Sequence, residues 1–236
     1  MLPLRDLNPT IHTPVATWGV IGLNALAWVF IQGMGMDAPM AESLCRYGLI
    51  PADLFGTAPL DAAIPVTENL ACTLENSHPL PTLLSHMFMH GGWFHIITNM
   101  WFLYIFGDNV EDAMGPVRFI VFYLLCGLAA AVTQLMADSN ALIPMVGASG
   151  AIGGVLGAYA RLYPQVRVVT LVPIGFYFTQ LELPAIAMLG YWFFLQLAGG
   201  IPALAGAGGG VAFWAHIGGF LAGLVLVGLL RRPDEA

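Results

Sequence analysis

The segment 211–230 carries no Asp, Glu, Lys or Arg and is apolar almost throughout, with one histidine, His216, inside it. At 1.5 Å rise per residue it is long enough to cross the roughly 30 Å hydrocarbon core of a bilayer. In lipid the backbone polar groups find no water, so such a segment folds as a helix. Further apolar runs lie at about 15–34, 93–106, 117–136, 149–163 and 183–197. The run 149–163 is short for a full crossing. The expected architecture is an all-α membrane protein: a six-helix bundle in one domain over 1–236, with a long outer loop between spans 1 and 2.

Charged residues are 9% of the chain and apolar residues 58%, with mean hydropathy +0.78. Soluble domains carry about 25% charged residues, so a soluble helical fold is excluded. The net charge of −7 resides mostly in loops. Without a basic patch, nucleic acid is not an expected partner. The start, 1–14, has one arginine and several prolines and does not read as a cleavable signal. Residues 168–178 are apolar but interrupted by Pro173 and Gly175, and are expected to form an interfacial connection. Cys45 and Cys72 share the long loop and are either free thiols or an extracytoplasmic disulfide.

The chain has no lysine, so arginines set the orientation. Arg5, Arg118, Arg161, Arg167, Arg231 and Arg232 fall on one side if both termini are cytoplasmic, and Arg46 alone falls on the other. Ser149, His216, His95 and Asn99 then share the outward half of the membrane. His95 and Asn99 are i, i+4 and occupy one helical face. Ser149, Gly153 and Gly157 form one small-residue stripe, and Gly219 and Gly223 below His216 form another. Such stripes allow close helix approach in lipid, which would bring His216 beside Ser149.

Polar and ionisable residues in membrane spans are functional-site candidates by default. A serine with a base to take its proton is the minimum for nucleophilic catalysis. Spans 4 and 6 hold no carboxylate, so Ser149 and His216 read as a dyad. Asn99, His95 and the N–H groups at the start of span 4 are candidate donors to an oxyanion. Other readings exist. Asn99 alone can be interhelical glue, and a lone histidine can be a satisfied polar residue or a haem ligand. His86 and His90 at i, i+4, with His95 and His216, suggest a metal site. The chain lacks a His-Glu-x-x-His pattern and a carboxylate ligand, so neither metal nor cofactor is expected.

The runs Ser85–Asn99, Gly107–Glu111 through Gly115, Gly147-Ala148-Ser149-Gly150 and Ala215–Gly219 resemble, in order, the rhomboid intramembrane serine proteases. The resemblance covers nearly the whole chain and is similar to a bacterial member with the basic six-span core. It implies a serine endopeptidase that cuts transmembrane segments of other membrane proteins in a bacterial inner membrane. It also implies Ser149 as nucleophile, His216 as base, His95 and Asn99 as oxyanion support, and His90 as a polar neighbour. Glu111 and Gly115 match a structural turn. One departure is Gly153, where some members place an aromatic that stacks on the catalytic histidine. His216 must then be oriented by other side chains, such as Trp214, or by packing. A client-binding pseudoenzyme is the alternative, and a small transporter or haem carrier a third reading. The glycine-rich stretch 199–210 and the aromatic run 191–194 are expected to act as lid and side gate.

Overall fold

The computed structural model describes residues 1–59, 63–65, 71–74, 79–204 and 210–232. Part of the glycine-rich stretch, 205–209, and the loop acids at 61, 68 and 75 lie outside the described residues. The chain is mostly helical. Helix α1 (Val15–Leu26) continues into a π-turn at Ala27–Ile31. Short helices α2 (Asp37–Tyr47), α3 (Pro51–Leu54) and α4 (Thr82–Ser85) follow, with strands β2 (Ala63–Pro65) and β3 (Ala71–Thr73) between α3 and α4. Then come α5 (Trp93–Met114), α6 (Pro116–Ala137), α7 (Ser149–Leu162), α8 (Ala185–Leu204) and α9 (Phe213–Leu230).

Helices α6, α8 and α9 are long and apolar enough to cross a membrane. Helix α5 has the length but ends in Asp108, Glu111 and Asp112, and Val15–Ile31 is shorter. Many large apolar side chains face outward, among them Phe30, Phe94, Val117, Met136 and Leu229. Apolar exposure of that extent suits lipid rather than water.

Helix α7 is the core of the bundle. Its 14 residues are too few to span a bilayer, and every residue from Gly150 to Ala160 is buried. Small residues make this possible, because glycines on both helices let α7 and α9 approach at backbone distance. A Cβ on Gly153 would lie 2.9 Å from the His216 carbonyl oxygen, and one on Gly157 would collide with the Phe220 carbonyl. The rest of the core packs around this pair through Phe106, Phe119, Phe122, Tyr123 and Leu156.

Residues 168–178, expected as an interfacial connection, lie in a regular β-hairpin. Strands β4 (Arg167–Ile174) and β5 (Tyr177–Pro184) form an antiparallel hairpin, and β1 (Leu2–Asp6) joins to give the order β1-β4-β5. The β-branched residues Val168, Val169, Thr170 and Val172 suit this state. Pro173 sits near the hairpin's end and Gly175 supplies the positive φ of the turn. The described residues between α1 and α5 include short helices and a two-stranded sheet, β2 with β3. Cys45 and Cys72 form a disulfide joining α2 to β3. Leu49 and Met145 exchange backbone hydrogen bonds, 3.0 and 2.8 Å, and Ala52 N–H donates to Ala141 O at 3.1 Å. This segment therefore braces the loop that leads into Ser149.

Glu111, buried near the end of α5, accepts from Ala16 N–H, Thr17 N–H and Thr17 Oγ1 at 2.9, 2.7 and 2.7 Å. A carboxylate on these orphan donors caps α1 and complements its dipole. Asp112 accepts from the N–H groups of Ile11 and His12 just upstream.

Candidate active site

Ser149 is the first residue of α7, and its hydroxyl faces α9 across the glycine seam. His216 Nε2 lies 2.7 Å from Ser149 Oγ. The chain enters Ser149 through Gly147, whose φ of +122° and crowded surroundings require glycine. A Cβ there would lie 2.7 Å from His95 Nε2, so that ring edge sits close to the start of α7. Gly147 N–H is held by His86 O at 2.9 Å.

His95 and Asn99 lie on the face of α5 that looks into the same cavity. Gly91 N–H donates to His95 Nδ1 at 3.2 Å, which leaves the ring proton on Nε2, the nitrogen nearest Gly147. Asn99 is 6% exposed, and its Nδ2 has no hydrogen-bond partner among the described residues. A buried amide donor without a partner is costly unless a visiting group satisfies it. His90 does not line the cavity. It stands behind His95, ring centroids 5.2 Å apart, with its backbone clamped by both ends of the Gln32 amide at 2.8 Å. Burial first, and the neighbouring His95 second, push the His90 imidazole down to about 3, so it is neutral.

The cavity has a volume of about 790 Å³ and is lined mainly by apolar groups. Phe94, Thr98 and Phe102 of α5 border it on one side and Trp192 of α8 on another. Ser149, His216, His95 and Asn99 are its convergent polar groups, an arrangement typical of a ligand site.

His216 is not oriented by Trp214, whose indole N–H donates to Gly200 O at 3.0 Å. Two residues of α8 flank His216 instead. Trp192 lies with its ring 5.9 Å from the imidazole. Gln196 Oε1 lies 2.8 Å from His216 Nδ1. Sequence reading missed Gln196; the available signal was a lone amide within an apolar span, one helical turn after Trp192.

A rhomboid domain matches residues 78–233. The chain belongs to the rhomboid family. It is similar to Rhomboid-like protein 11, chloroplastic, of Arabidopsis thaliana, 31% identical over 63% of this chain and 52% of the relative. It is similar to Rhomboid protein 1, mitochondrial, of Saccharomyces cerevisiae, 28% identical over 39% of this chain and 28% of the relative. It also matches Inactive RHOMBOID-like protein 8 of Arabidopsis thaliana, 29% identical over 36% of this chain and 24% of the relative. The chain spans about half or less of the length of these relatives. They are plant and yeast proteins, so the expected bacterial setting draws no support from them. This rhomboid therefore has relatives whose names include an inactive protein, and its own activity is argued from its residues.

Proposed function

We propose that this rhomboid is an intramembrane serine endopeptidase acting on transmembrane segments of membrane proteins. The observation that carries the reading is the 2.7 Å contact between Ser149 Oγ and His216 Nε2 in an apolar cavity. Ser149 Oγ attacks the scissile carbonyl carbon while His216 Nε2 accepts its proton. The oxyanion of the tetrahedral state meets Asn99 Nδ2–H, His95 Nε2–H and the Ser149 N–H at the helix start. His216 then returns the proton to the leaving amine. Water, activated by the same histidine, releases the acyl group from Ser149. His90 supports the His95 ring from behind rather than touching substrate.

A substrate helix has to unwind to present a carbonyl, so segments with small or helix-breaking residues are the favoured class. The side of the cavity bordered by Phe94, Thr98, Phe102 and Trp192 is the proposed entry from lipid. The architecture proposed is six spans, formed by α1 with its π-turn and by α5 to α9, the short α7 being shielded by the others. The arginine bias puts both termini on the cytoplasmic side, with a bacterial inner membrane as the proposed setting.

The second reading is a client-binding protein without proteolysis, favoured by the resemblance to an inactive relative. Purified protein in liposomes, incubated with a single-span reporter, separates the two. Cleavage by the wild type that is lost in Ser149→Ala supports the protease. Stable reporter binding with no cleavage supports the second reading.

A further inference from the structure

We propose that Gln196 is a positioning residue for His216, making the site a Ser149–His216–Gln196 relay in which an amide stands where a carboxylate would in a soluble triad. The inference rests on the protease reading above. For His216 to act as a base toward Ser149, Nε2 must carry a lone pair and Nδ1 the proton. That tautomer holds only if Nδ1–H meets an acceptor. Gln196 supplies one: its Oε1 lies 2.8 Å from Nδ1.

An amide can present the wrong end, since Nε2 is a donor. Here its orientation is fixed by a second contact. Gln196 Nε2 donates to the Trp192 carbonyl at 3.2 Å, and a carbonyl can only accept. Oε1 is therefore turned to His216. Both contacts come from one turn of α8, and Gln196 is 9% exposed, so the pair is largely shielded from solvent. Placing a neutral acceptor here avoids burying an unpaired carboxylate in a membrane helix.

The test measures kcat and KM for reporter cleavage in liposomes for the wild type, Gln196→Leu, Gln196→Glu and Ser149→Ala. Gln196→Leu is apolar and suits a membrane helix. It is expected to lower kcat about 10²-fold with KM nearly unchanged. Gln196→Glu keeps an acceptor for Nδ1–H and, when protonated, a donor for Trp192 O, so it is expected to recover most of the turnover. Wild-type kcat in Gln196→Leu, with Ser149→Ala inactive, would overturn the role of Gln196 and leave the protease reading standing. Equal losses in the Leu and Glu variants would also overturn it, because the acceptor would then not matter. Wild-type protein that cuts nothing would remove both.

A second inference concerns the other end of α7. We infer that the tip of the β4–β5 hairpin dips into the lipid leaflet as an interfacial anchor. The ion pair Arg167–Glu182, 3.6 Å, closes the root of the hairpin, and no charged residue lies between them in the sequence. At the tip Ile174, Phe176, Tyr177 and Phe178 are 59%, 101%, 81% and 72% exposed. Successive strand residues point to opposite faces, so the tip is apolar on both. A protein partner covers one face or one edge, whereas lipid surrounds both. Pro184 leads directly into α8, a helix of membrane length, so the root of the hairpin lies at the end of a span. Exposed aromatics at that level match the interfacial preference of such side chains.

The probe is an environment-sensitive fluorophore on Phe176→Cys in a Cys126→Ala background, reconstituted in phosphatidylcholine–phosphatidylglycerol vesicles. Blue-shifted emission, protection from aqueous iodide and quenching by lipids spin-labelled near the headgroup are expected. Iodide quenching equal to that of the same probe at exposed Asn140 would overturn the inference. Protection that disappears as lipid is added to dilute the protein would assign the tip to a second copy, and would overturn it too.

Discussion

Gly219 of α9 lies against the carbonyl oxygen of Gly150, the residue after Ser149, so closely that no Cβ fits between them. The contact repeats one turn on, where Gly223 meets the Gly154 carbonyl. His216 stands one turn before Gly219, so this seam sets the separation of the two reacting side chains. Gly219→Val is expected to push the helices apart and reduce cleavage at least about 10²-fold, although it carries no reacting group. Turnover measured on folded, detergent-purified protein checks this. Wild-type turnover would show that the seam does not set the site's geometry.

Asn99→Ala removes the unpaired buried amide at the cavity wall. Turnover is expected to fall roughly 10²-fold, with a smaller change in apparent affinity, because the donor meets charge only in the tetrahedral state. His95 points from the same helix face and shares the load. Measuring Tm on the same preparation separates this from a role as interhelical glue, which would lower Tm and leave turnover per folded molecule intact.

Trp192 borders the cavity beside His216 and also packs on Phe220, ring centroids 6.1 Å apart. Loosening that packing is expected to ease entry from lipid. Phe193→Ala, whose ring stacks on Phe220 at 4.6 Å without lining the cavity, should raise turnover of helical substrates where opening limits the rate. A cross-link between α5 and α8 should abolish cleavage of membrane substrates. Full activity in the cross-linked protein would contradict entry between these helices.

Glu111→Ala leaves Ala16 N–H, Thr17 N–H and the Thr17 hydroxyl without their acceptor. A loss of about 1–3 kcal/mol of stability is expected, with kcat per folded molecule unchanged. Chemical denaturation and active-site titration together test it.

Much of the site was legible because its parts are chemically conspicuous in apolar surroundings. Ser149, His216, His95 and Asn99 share one cavity, and the glycine stripes do pack together, though through Gly150 and Gly154 as much as Gly153. Gln196 was conspicuous only as a lone amide in an apolar run, which carries no sign of which helix it will face. The β4–β5 hairpin was missed for a different reason. Its core-facing strand is buried in its first half and exposed in its second, so it shows a continuous apolar run rather than a period of two. The short α2, α3 and α4 were hidden by prolines that read as loop breakers but sit early in helices, as Pro51 does at the start of α3. Helix α5 runs eight residues beyond the apolar stretch that ends near Phe106, because Glu111 and Asp112 serve the N-terminal segment rather than end the helix.

The central claim is that Ser149 and His216 act as one nucleophilic unit. The most direct measurement is covalent labelling by a fluorophosphonate, followed by mass spectrometry, on wild type, Ser149→Ala and His216→Ala in liposomes that also contain the reporter. The account predicts one adduct, on Ser149, in the wild type only, with reporter cleavage lost in both variants and no further loss in the double variant. Reporter cleavage that persists near the wild-type rate in Ser149→Ala, or an adduct at full rate in His216→Ala, would contradict it.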